Sequence, residues 1–266
     1  MQGGSRVPRF ARPATANTHT PNRLRIGPPT PRRTRRPALP TTTVNLGVVS
    51  DVHANRVALE AVLRDMPRVD DLICVGDVVG YNPWPAECVE RIREVCSATV
   101  QGNHDRTVQS PGKYRANRMA HAGLELASER CSREQMKWLR ELPRRATAAG
   151  GRVLLVHDHP EHVDRYVRPA DFSRMRPHLD EHDALLLGHT HVQHEATVDG
   201  RLVCNPGSVG QPRDGDPRAA YAVLDTDADP VTADLHRVEY DVERVQAAIR
   251  EAGLPERTAE RLAAGR

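Results

Sequence analysis

The amino-acid sequence predicts an α/β fold in which two mixed β-sheets pack together and helices cover their outer faces. Five short apolar runs in the first 190 residues are rich in Val, Leu and Ile, which is typical of strands buried on both faces. Segments with helical spacing separate the early runs, as in βαβ units. Beyond residue 191 the runs HEATV, RLVCN, AAYAVLD and PVTADLHRVEY, joined by polar turns, predict a β-rich second half.

The helices are predicted from apolar spacing and from signals at their ends. Pro85 can begin a helix, because proline is tolerated in the first helical turn. Within the long helical stretch, Ser132 and Gln135 form a capping-box pattern, which predicts that a second helix starts there. The helical segments are expected at about 59–66, 85–95, 115–142, 170–179, 241–252 and 255–264.

The first 42 residues differ in composition from the rest of the chain. They contain nine Arg, eight Pro and no acidic residue, and they lack apolar periodicity. We therefore expect a disordered tail over 1–42 and one domain over 43–266. The sequence RRTRRP is a weak candidate for an export signal, since PALPTTT follows instead of an apolar region of about 7–15 residues. A basic arm that binds nucleic acid stays an alternative.

The composition of the remainder excludes several classes of protein. It holds 29 of the 38 basic and all 35 acidic residues, a net charge of −6, which provides no footprint for general binding to duplex nucleic acid. No apolar stretch is long enough for a membrane span. Five Cys make an odd number without a Cys-x-x-Cys pair, so we expect a reduced, cytoplasmic protein.

Residues that can bind a metal ion follow each of the five apolar runs. Carboxyl ends of strands lie at one edge of an α/β sheet, where ligands bind, so these residues should meet there. Carboxylate, amide and imidazole ligands without thiolate suit Mn, Fe, Zn, Co or Ni. The candidate ligands, with the run that precedes each, are Asp51 and His53 (VNLGVVS), Asp77 (DLICVG), Asn103 (ATVQG), His157 (RVLLV), and His189 and His191 (ALLLG).

The number of candidate ligands favours two ions. Seven are too many for one ion with an open position, but they suffice for two ions about 3.5–4 Å apart that share a carboxylate. Asp77 suits the shared position, because it ends the middle strand of the set. Singly, an Asp after a strand is more often a turn or cap residue. The joint pattern changes this, and glycines precede Asp77, Asn103 and His189, where backbone must pass close to a ligand.

The segments SDVHAN, GDVVGYN, QGNHD, LLVHDHP, LLGHTH and NPGSVGQPR resemble the calcineurin-like metallophosphoesterase superfamily, in particular its small single-domain prokaryotic members. The resemblance covers about 44–225 and implies a four-layer α/β/β/α sandwich. It also implies two ion sites that share Asp77. One would be formed by Asp51, His53, Asp77 and His191, and the other by Asp77, Asn103, His157 and His189.

Two departures from the family pattern concern the site. Ala54 stands where the family often has Gly. The fifth motif reads His157-Asp158-His159 instead of His-Gly, and we favour His157 as the ligand because it directly ends the strand.

These residues predict a metal-dependent phosphoric ester hydrolase. A hydroxide shared by two divalent cations would attack phosphorus, with manganese favoured and Fe, Zn, Co, Ni or Mg as alternatives. His104 would protonate the leaving group as general acid. Asp105 would either orient His104 or cap the following helix. Arg213 is a candidate for binding phosphate oxygens, although its loop, residues 205–213, also suits a structural role.

The expected substrate is a small-molecule or nucleotide phosphoester. A protein phosphatase is less favoured, because Val-Val-Gly-Tyr follows Asp77 instead of an Asp-Arg pair. Two alternatives stay open. One is a non-catalytic scaffold with the same fold, and the other is a nuclease that uses the basic tail. The sequence does not determine the natural substrate or the oligomeric state.

Overall fold

The structure is a computed structural model, and it describes residues 45–266. The predictions for the tail over 1–42 lie outside the described residues. Ten strands form two five-stranded sheets, which we number in chain order. The strands are β1 (Asn45–Val49), β2 (Asp71–Cys74), β3 (Ala98–Thr99), β4 (Arg145–Ala148), β5 (Val153–Val156), β6 (Ala184–Leu186), β7 (His194–Val198), β8 (Arg201–Asn205), β9 (Ala219–Asp225) and β10 (Thr232–Val238).

The first sheet has the strand order β10-β9-β1-β2-β3. Strands β1, β2 and β3 are parallel, with Val48 beside Ile73 and Cys74 beside Thr99. Strands β9 and β10 extend the sheet in the antiparallel sense. The parallel part of this sheet thus places the ends of β1, β2 and β3 at one edge.

The second sheet has the strand order β4-β5-β6-β8-β7, and its central strands β5, β6 and β8 are parallel. The edge strands β4 and β7 run antiparallel to their neighbours. Strands β7 and β8 are joined by Asp199 and Gly200, which both have positive φ angles. Such a two-residue turn matches the twist of a hairpin, which confirms the polar turn predicted between the runs HEATV and RLVCN.

The two sheets pack face to face through a shared apolar layer. Leu46 and Val48 of β1 contact this layer together with Leu155 of β5 and Leu186 of β6. The alternate residue Val49 points to the opposite face, where it packs in the core beneath the helices. This alternation is the two-residue period of a strand, so both faces of the first sheet are buried.

Seven α-helices flank the sheets within residues 45–266, and the predicted helices correspond to them with one exception. The segment Pro169–Leu179 consists of 3-10 turns rather than an α-helix. Pro177 lies inside it and lacks the N–H that an α-helix needs, which explains the difference. Phe172 and Met175 nevertheless cover the outer face of the second sheet. The helices are α1 (Arg56–Asp65), α2 (Pro85–Val95), α3 (Asn103–Thr107), α4 (Arg118–Arg130), α5 (Arg133–Glu141), α6 (Val242–Glu251) and α7 (Glu256–Ala264).

The architecture is therefore the predicted sandwich of two mixed sheets flanked by helices. The capping box of Ser132 and Gln135 is present at the start of α5, as predicted. Strand β4 and the short helix α3 were not predicted. The sequence RATA of β4 has little apolar character, because this edge strand is only partly buried.

Candidate metal centre

The candidate ligands come together where two sheets meet, rather than at the edge of one sheet. Strands β1, β2 and β3 of the first sheet precede Asp51, Asp77 and Asn103. Strands β5 and β6 of the second sheet precede His157 and His189. The expectation of a single edge needs this correction, because the parallel parts of both packed sheets deliver their carboxyl ends to the same place.

The first ligand group consists of Asp51, His53, Asp77 and His191. One donor atom from each of these residues lies within 4.8 Å of the others, and all four side chains are buried. The shortest contact to a carboxylate joins Nε2 of His191 to Oδ1 of Asp51 at 3.1 Å. Two carboxylates and two imidazoles at this spacing offer the mixed oxygen and nitrogen donors that divalent transition metals accept.

The second ligand group consists of Asp77, His157 and His189, which are also buried and within 4.8 Å of one another. The amide oxygen of Asn103 lies 3.1 Å from Nε2 of His157, so this amide borders the same group. Asp77 is the one residue that the two groups share. His159, the alternative to His157, belongs to neither group and instead lies with its ring centroid 4.7 Å from that of His162.

Three of the four candidate histidine ligands, His53, His157 and His191, present their Nε2 atoms to the site. In each of three rings the other nitrogen, Nδ1, lies within hydrogen-bond distance of a backbone carbonyl, which accepts only from an N–H. Nε2 therefore carries the lone pair in the neutral ring. The Nε2 atoms of His53 and His191 face each other at 3.0 Å. The three pairs are His53 with Val79 (3.1 Å), His157 with Val75 (2.8 Å) and His191 with Gln211 (2.6 Å).

The electrostatics of the two groups favour a positive charge at their centre. Burial raises the pKa of Asp51 and Asp77, but the neighbouring histidines outweigh it and lower the pKa of both carboxyls. Burial lowers the pKa of His157, yet the carboxylates of Asp77 and Asp51 raise it to about 10. The buried Oδ1 of Asp51 has no hydrogen-bond partner. Bound cations would satisfy this carboxylate oxygen and also the facing Nε2 lone pairs of His53 and His191. The donor set therefore fits divalent metals.

The backbone of the site is held in an unfavourable conformation. Five of the seven candidate ligands have positive φ angles, which cost non-glycine residues about 1–3 kcal/mol each. The glycines before three of the ligands are required by close packing against other protein atoms. A Cβ atom on Gly102 would lie 2.0 Å from Oδ1 of Asp77, and one on Gly188 would lie 2.4 Å from Oγ of Ser50. Those five ligands are Asp51, His53, Asp77, His189 and His191.

The carboxylate of Asp105 contacts backbone rather than the ring of His104. Its Oδ2 atom accepts from the N–H groups of Asp77 (2.8 Å) and Gly102 (3.0 Å), and Oδ1 accepts from Val78 and Val79. Burial and the charge of Asp77 raise the pKa of Asp105 to about 7. Of the two interpretations of Asp105, these contacts favour the helix cap. The carboxylate also fixes the loop that carries the shared ligand.

His104 lies beside the ligand groups with its ring against His53, Tyr81 and Tyr114. Its Nδ1 atom is buried without a hydrogen-bond partner. Burial lowers its pKa to about 4, although the carboxylate of Asp77 acts in the opposite direction. The ring is thus neutral at pH 7 in the free protein.

A cleft of about 270 Å³ opens from the two ligand groups to the surface. Arg213 lines it, where its Nη2 donates to the hydroxyl of Tyr81 (3.1 Å) and to Oε1 of Gln211 (3.0 Å). Four further residues line the cleft without any signal in the sequence, because they lie outside the strand-end motifs. These residues are Tyr114, Asn117, Asp164 and Arg261.

The loop over residues 205–213 packs against the end of β1. Oγ of Ser208 donates to the carbonyl of Asp51 (2.7 Å), and the N–H of Gly210 donates to the same oxygen (3.0 Å). A Cβ atom on Gly210 would lie 1.9 Å from the carbonyl oxygen of Val52. These contacts support the structural role of the loop, while its last residue, Arg213, reaches the cleft.

The fold and the buried donor groups define a class of protein, and comparison with known proteins agrees with it. Residues 44–229 match the model of the calcineurin-like phosphoesterase superfamily domain, and the chain belongs to this family. It is therefore a hydrolase of phosphoric esters, in a family that uses divalent metal ions.

Three individual proteins illustrate the relationship. The chain is 32% identical over 243 residues to the uncharacterized protein MJ0912 of Methanocaldococcus jannaschii, covering 83% of this chain and 98% of that protein. It is 27% identical to phosphodiesterase YfcE of Escherichia coli K12, with coverages of 71% and 92%. The crystal structure of a metallophosphoesterase from Sphaerobacter thermophilus superposes with a TM-score of 0.74 and 38% identity, over 84% of this chain and 100% of that one.

Among residues 45–266, no helix is long and apolar enough to cross a membrane.

Proposed function

We propose that this protein is a dinuclear metal-dependent phosphoesterase that acts on a small-molecule or nucleotide phosphoester. The observation that carries the proposal is the pair of buried ligand groups that share Asp77 at the base of an open cleft. The similarity to phosphodiesterase YfcE favours a phosphodiester over a monoester. The cleft, about 270 Å³ in volume and lined mainly by polar side chains, has room for a small phosphoester.

Each ligand has a defined part in this proposal. Asp51, His53, Asp77 and His191 hold one cation, and Asp77, Asn103, His157 and His189 hold the other. When bound, the two cations lower the pKa of a shared water and neutralise charge on the phosphate oxygens. The backbone carbonyls behind His53, His157 and His191 keep each ring in the tautomer that presents Nε2. The hydroxyl of Tyr114 accepts from Nδ2 of Asn103, which keeps the amide oxygen turned toward the second group.

His104 is the proposed general acid, and Arg213 is proposed to bind phosphate oxygens of the substrate. Both line the cleft next to Asp77. A general acid must be protonated before it reacts, and burial disfavours the protonated form of His104. The negative charge of a bound phosphate beside the ring would favour that form by raising the pKa of His104. Asp105 is proposed as a positioning residue for the Asp77 loop rather than as a catalytic residue.

Manganese is the proposed metal and the cytoplasm the proposed compartment. Imidazole nitrogen combined with carboxylate and amide oxygen suits a cation of intermediate softness. All five cysteines are free, and four of them are buried, which supports a reducing compartment.

The test is a hydrolysis screen combined with metal analysis. Full-length protein, purified without chelator, is expected to carry about two divalent ions per chain and to hydrolyse bis(p-nitrophenyl) phosphate with Mn²⁺. The panel also includes p-nitrophenyl phosphate, cyclic nucleotides and dinucleoside polyphosphates, each with several divalent ions. A protein with far less than one ion per chain and no hydrolysis under any condition would contradict the proposal.

A further inference from the structure

Two arginines from distant parts of the chain line the metal cleft together. Arg213 ends the loop that follows β8, whereas Arg261 lies on helix α7 near the end of the sequence. Tyr81 lines the same cleft as both arginines, and the guanidinium carbon of Arg213 lies 5.7 Å from its ring centroid. The topology thus adds a second guanidinium, from outside the metal-binding motifs, to the mouth of the site.

Neither arginine is neutralised by an acidic side chain from residues 45–266. Arg213 donates to the uncharged groups of Tyr81 and Gln211, and its buried Nε has no hydrogen-bond partner. Arg261 donates from Nε to the backbone oxygen of Arg266, and its Nη1 lies 3.9 Å from the sulfur of Met119.

Nearby arginines outside the cleft behave differently. Arg218 pairs with Asp216, and Arg237 pairs with Asp214. Two acidic residues line the cleft: Asp164 is paired with Arg106, and Asp77 belongs to both ligand groups. The cleft therefore concentrates two positive charges without acidic side-chain partners such as those of Arg218 and Arg237.

The positive charges of the two guanidinium groups repel each other. Burial and the positive charge of Arg213 lower the pKa of Arg261. Arg213 likewise contributes to the lowered pKa of His191 and His104. Such like charges in one cleft are unfavourable without an anion between them. An anionic ligand would remove this repulsion and use the free donor of Arg213.

We propose that Arg213 and Arg261 form a second phosphate subsite, so that the preferred substrates carry another phosphate group beyond the scissile one. This inference rests on the proposed phosphoesterase function. A terminal phosphate carries a charge of about −1.5 to −2 at neutral pH, which matches two guanidinium groups, whereas a carboxylate carries only −1. Guanidinium also binds phosphate oxygens through two parallel hydrogen bonds. Arg261 is thus a specificity-determining residue.

The first test measures binding without catalysis. Full-length protein treated with chelator is titrated by calorimetry, at fixed ionic strength, with thymidine 5′-monophosphate, 5′-diphosphate and 3′,5′-bisphosphate. The wild-type protein is expected to bind at least one two-phosphate probe about tenfold or more tightly than the monophosphate. Arg261→Gln should abolish this preference. Arg257→Gln, which changes an exposed arginine on the same helix that does not line the cleft, should retain it.

The second test measures specificity in the Mn²⁺-loaded enzyme. The p-nitrophenyl ester of thymidine 5′-monophosphate is compared with the same ester carrying a 3′-phosphate, and the ratio of their kcat/KM values is taken. The ratio should exceed about ten in the wild type and in Arg257→Gln, and approach one in Arg261→Gln. Arg261→Lys keeps the charge and the aliphatic stem, so its ratio should lie between these values. This variant provides a second test if Arg261→Gln does not fold.

The outcomes separate the two proposals. If neither ester is hydrolysed with any divalent ion, the proposed function fails, whatever the calorimetry shows. If both esters are hydrolysed but wild-type protein shows no preference in either measurement, only the second subsite is overturned. Retention of the preference in a folded Arg261→Gln variant overturns it as well.

Discussion

Replacing the shared carboxylate of Asp77 is expected to weaken both proposed metal sites at once. Its Oδ2 atom lies 3.6 Å from Nε2 of His53 in the first group and 3.3 Å from Nε2 of His157 in the second. Its Oδ1 accepts from the N–H of His104 at 2.8 Å, and asparagine can preserve that hydrogen bond. Asp77→Asn therefore removes the shared negative charge with little change of shape, and we expect it to weaken both cations.

The magnitude follows from linkage between binding and stability. At a free metal concentration of about 100 times Kd, each ion stabilises the folded state by about 2.7 kcal/mol, or about 5.4 kcal/mol for two. For a domain of this size that corresponds to a difference in Tm of roughly 10–20 °C between metal-loaded and chelated protein. Loss of a direct ligand should weaken each ion by at least about 100-fold, since even outer contacts are worth about 10–100-fold. The remaining stabilisation is then about 0.8 kcal/mol, or roughly 2–3 °C.

The assay combines calorimetric or fluorescence melting with measured metal content. Asp158→Asn is the matched control, because Asp158 is a buried carboxylate next to a candidate ligand but outside both groups, where it pairs with Arg106 and Arg144. The control should retain two ions and the full difference in Tm, even if its own stability changes. The reasoning is refuted if Asp77→Asn retains two ions per chain and the wild-type difference in Tm.

Three further predictions concern neighbouring residues. His104→Ala should retain both ions and lose about 10²–10⁴-fold in turnover of alkyl phosphoesters. The loss should be much smaller for p-nitrophenyl esters, because their leaving group needs no proton. Equal losses in kinetic assays of both substrates would argue against the general-acid role. In chelated protein the carboxylates raise the pKa of His157 to about 10 from about 6.5, so this stabilisation is complete below pH 6.5 and is lost as pH rises toward 10. The free energy of unfolding of the chelated protein should therefore fall between pH 6.5 and 9, by no more than about 1.4 kcal/mol per pH unit, and Tm should fall with it. Most of this slope should be lost in His157→Gln, and an unchanged slope in that variant would contradict the assignment. Asp105→Asn should lower the free energy of unfolding of the chelated protein by about 1–3 kcal/mol, as measured by urea denaturation. The amide cannot accept hydrogen bonds from all the N–H groups that the Asp105 carboxylate contacts. A change below about 0.5 kcal/mol would refute the capping role.

Much of the fold could be predicted from the sequence because its signals are local. Apolar runs with β-branched residues identified β1, β2, β5 and β6, and the capping box identified the start of α5. The 3-10 segment over Pro169–Leu179 was predicted as a helix, since its apolar spacing fits both types of turn. Strand β4 was missed because a partly buried edge strand needs little apolar character.

The sequence by itself determined which residues could bind metal, because a strand that ends in Asp, Asn or His after a Gly leaves a local pattern. It predicted two sheets but could not show which strand belongs to which sheet, since pairing between distant strands is decided by packing of complete faces. Only the tertiary structure placed Asp105 on backbone N–H groups and Tyr114 on the amide of Asn103. It also placed Arg261 of the last helix in the same cleft as Arg213, for which no local pattern exists, because long-range proximity arises only when the whole core has formed.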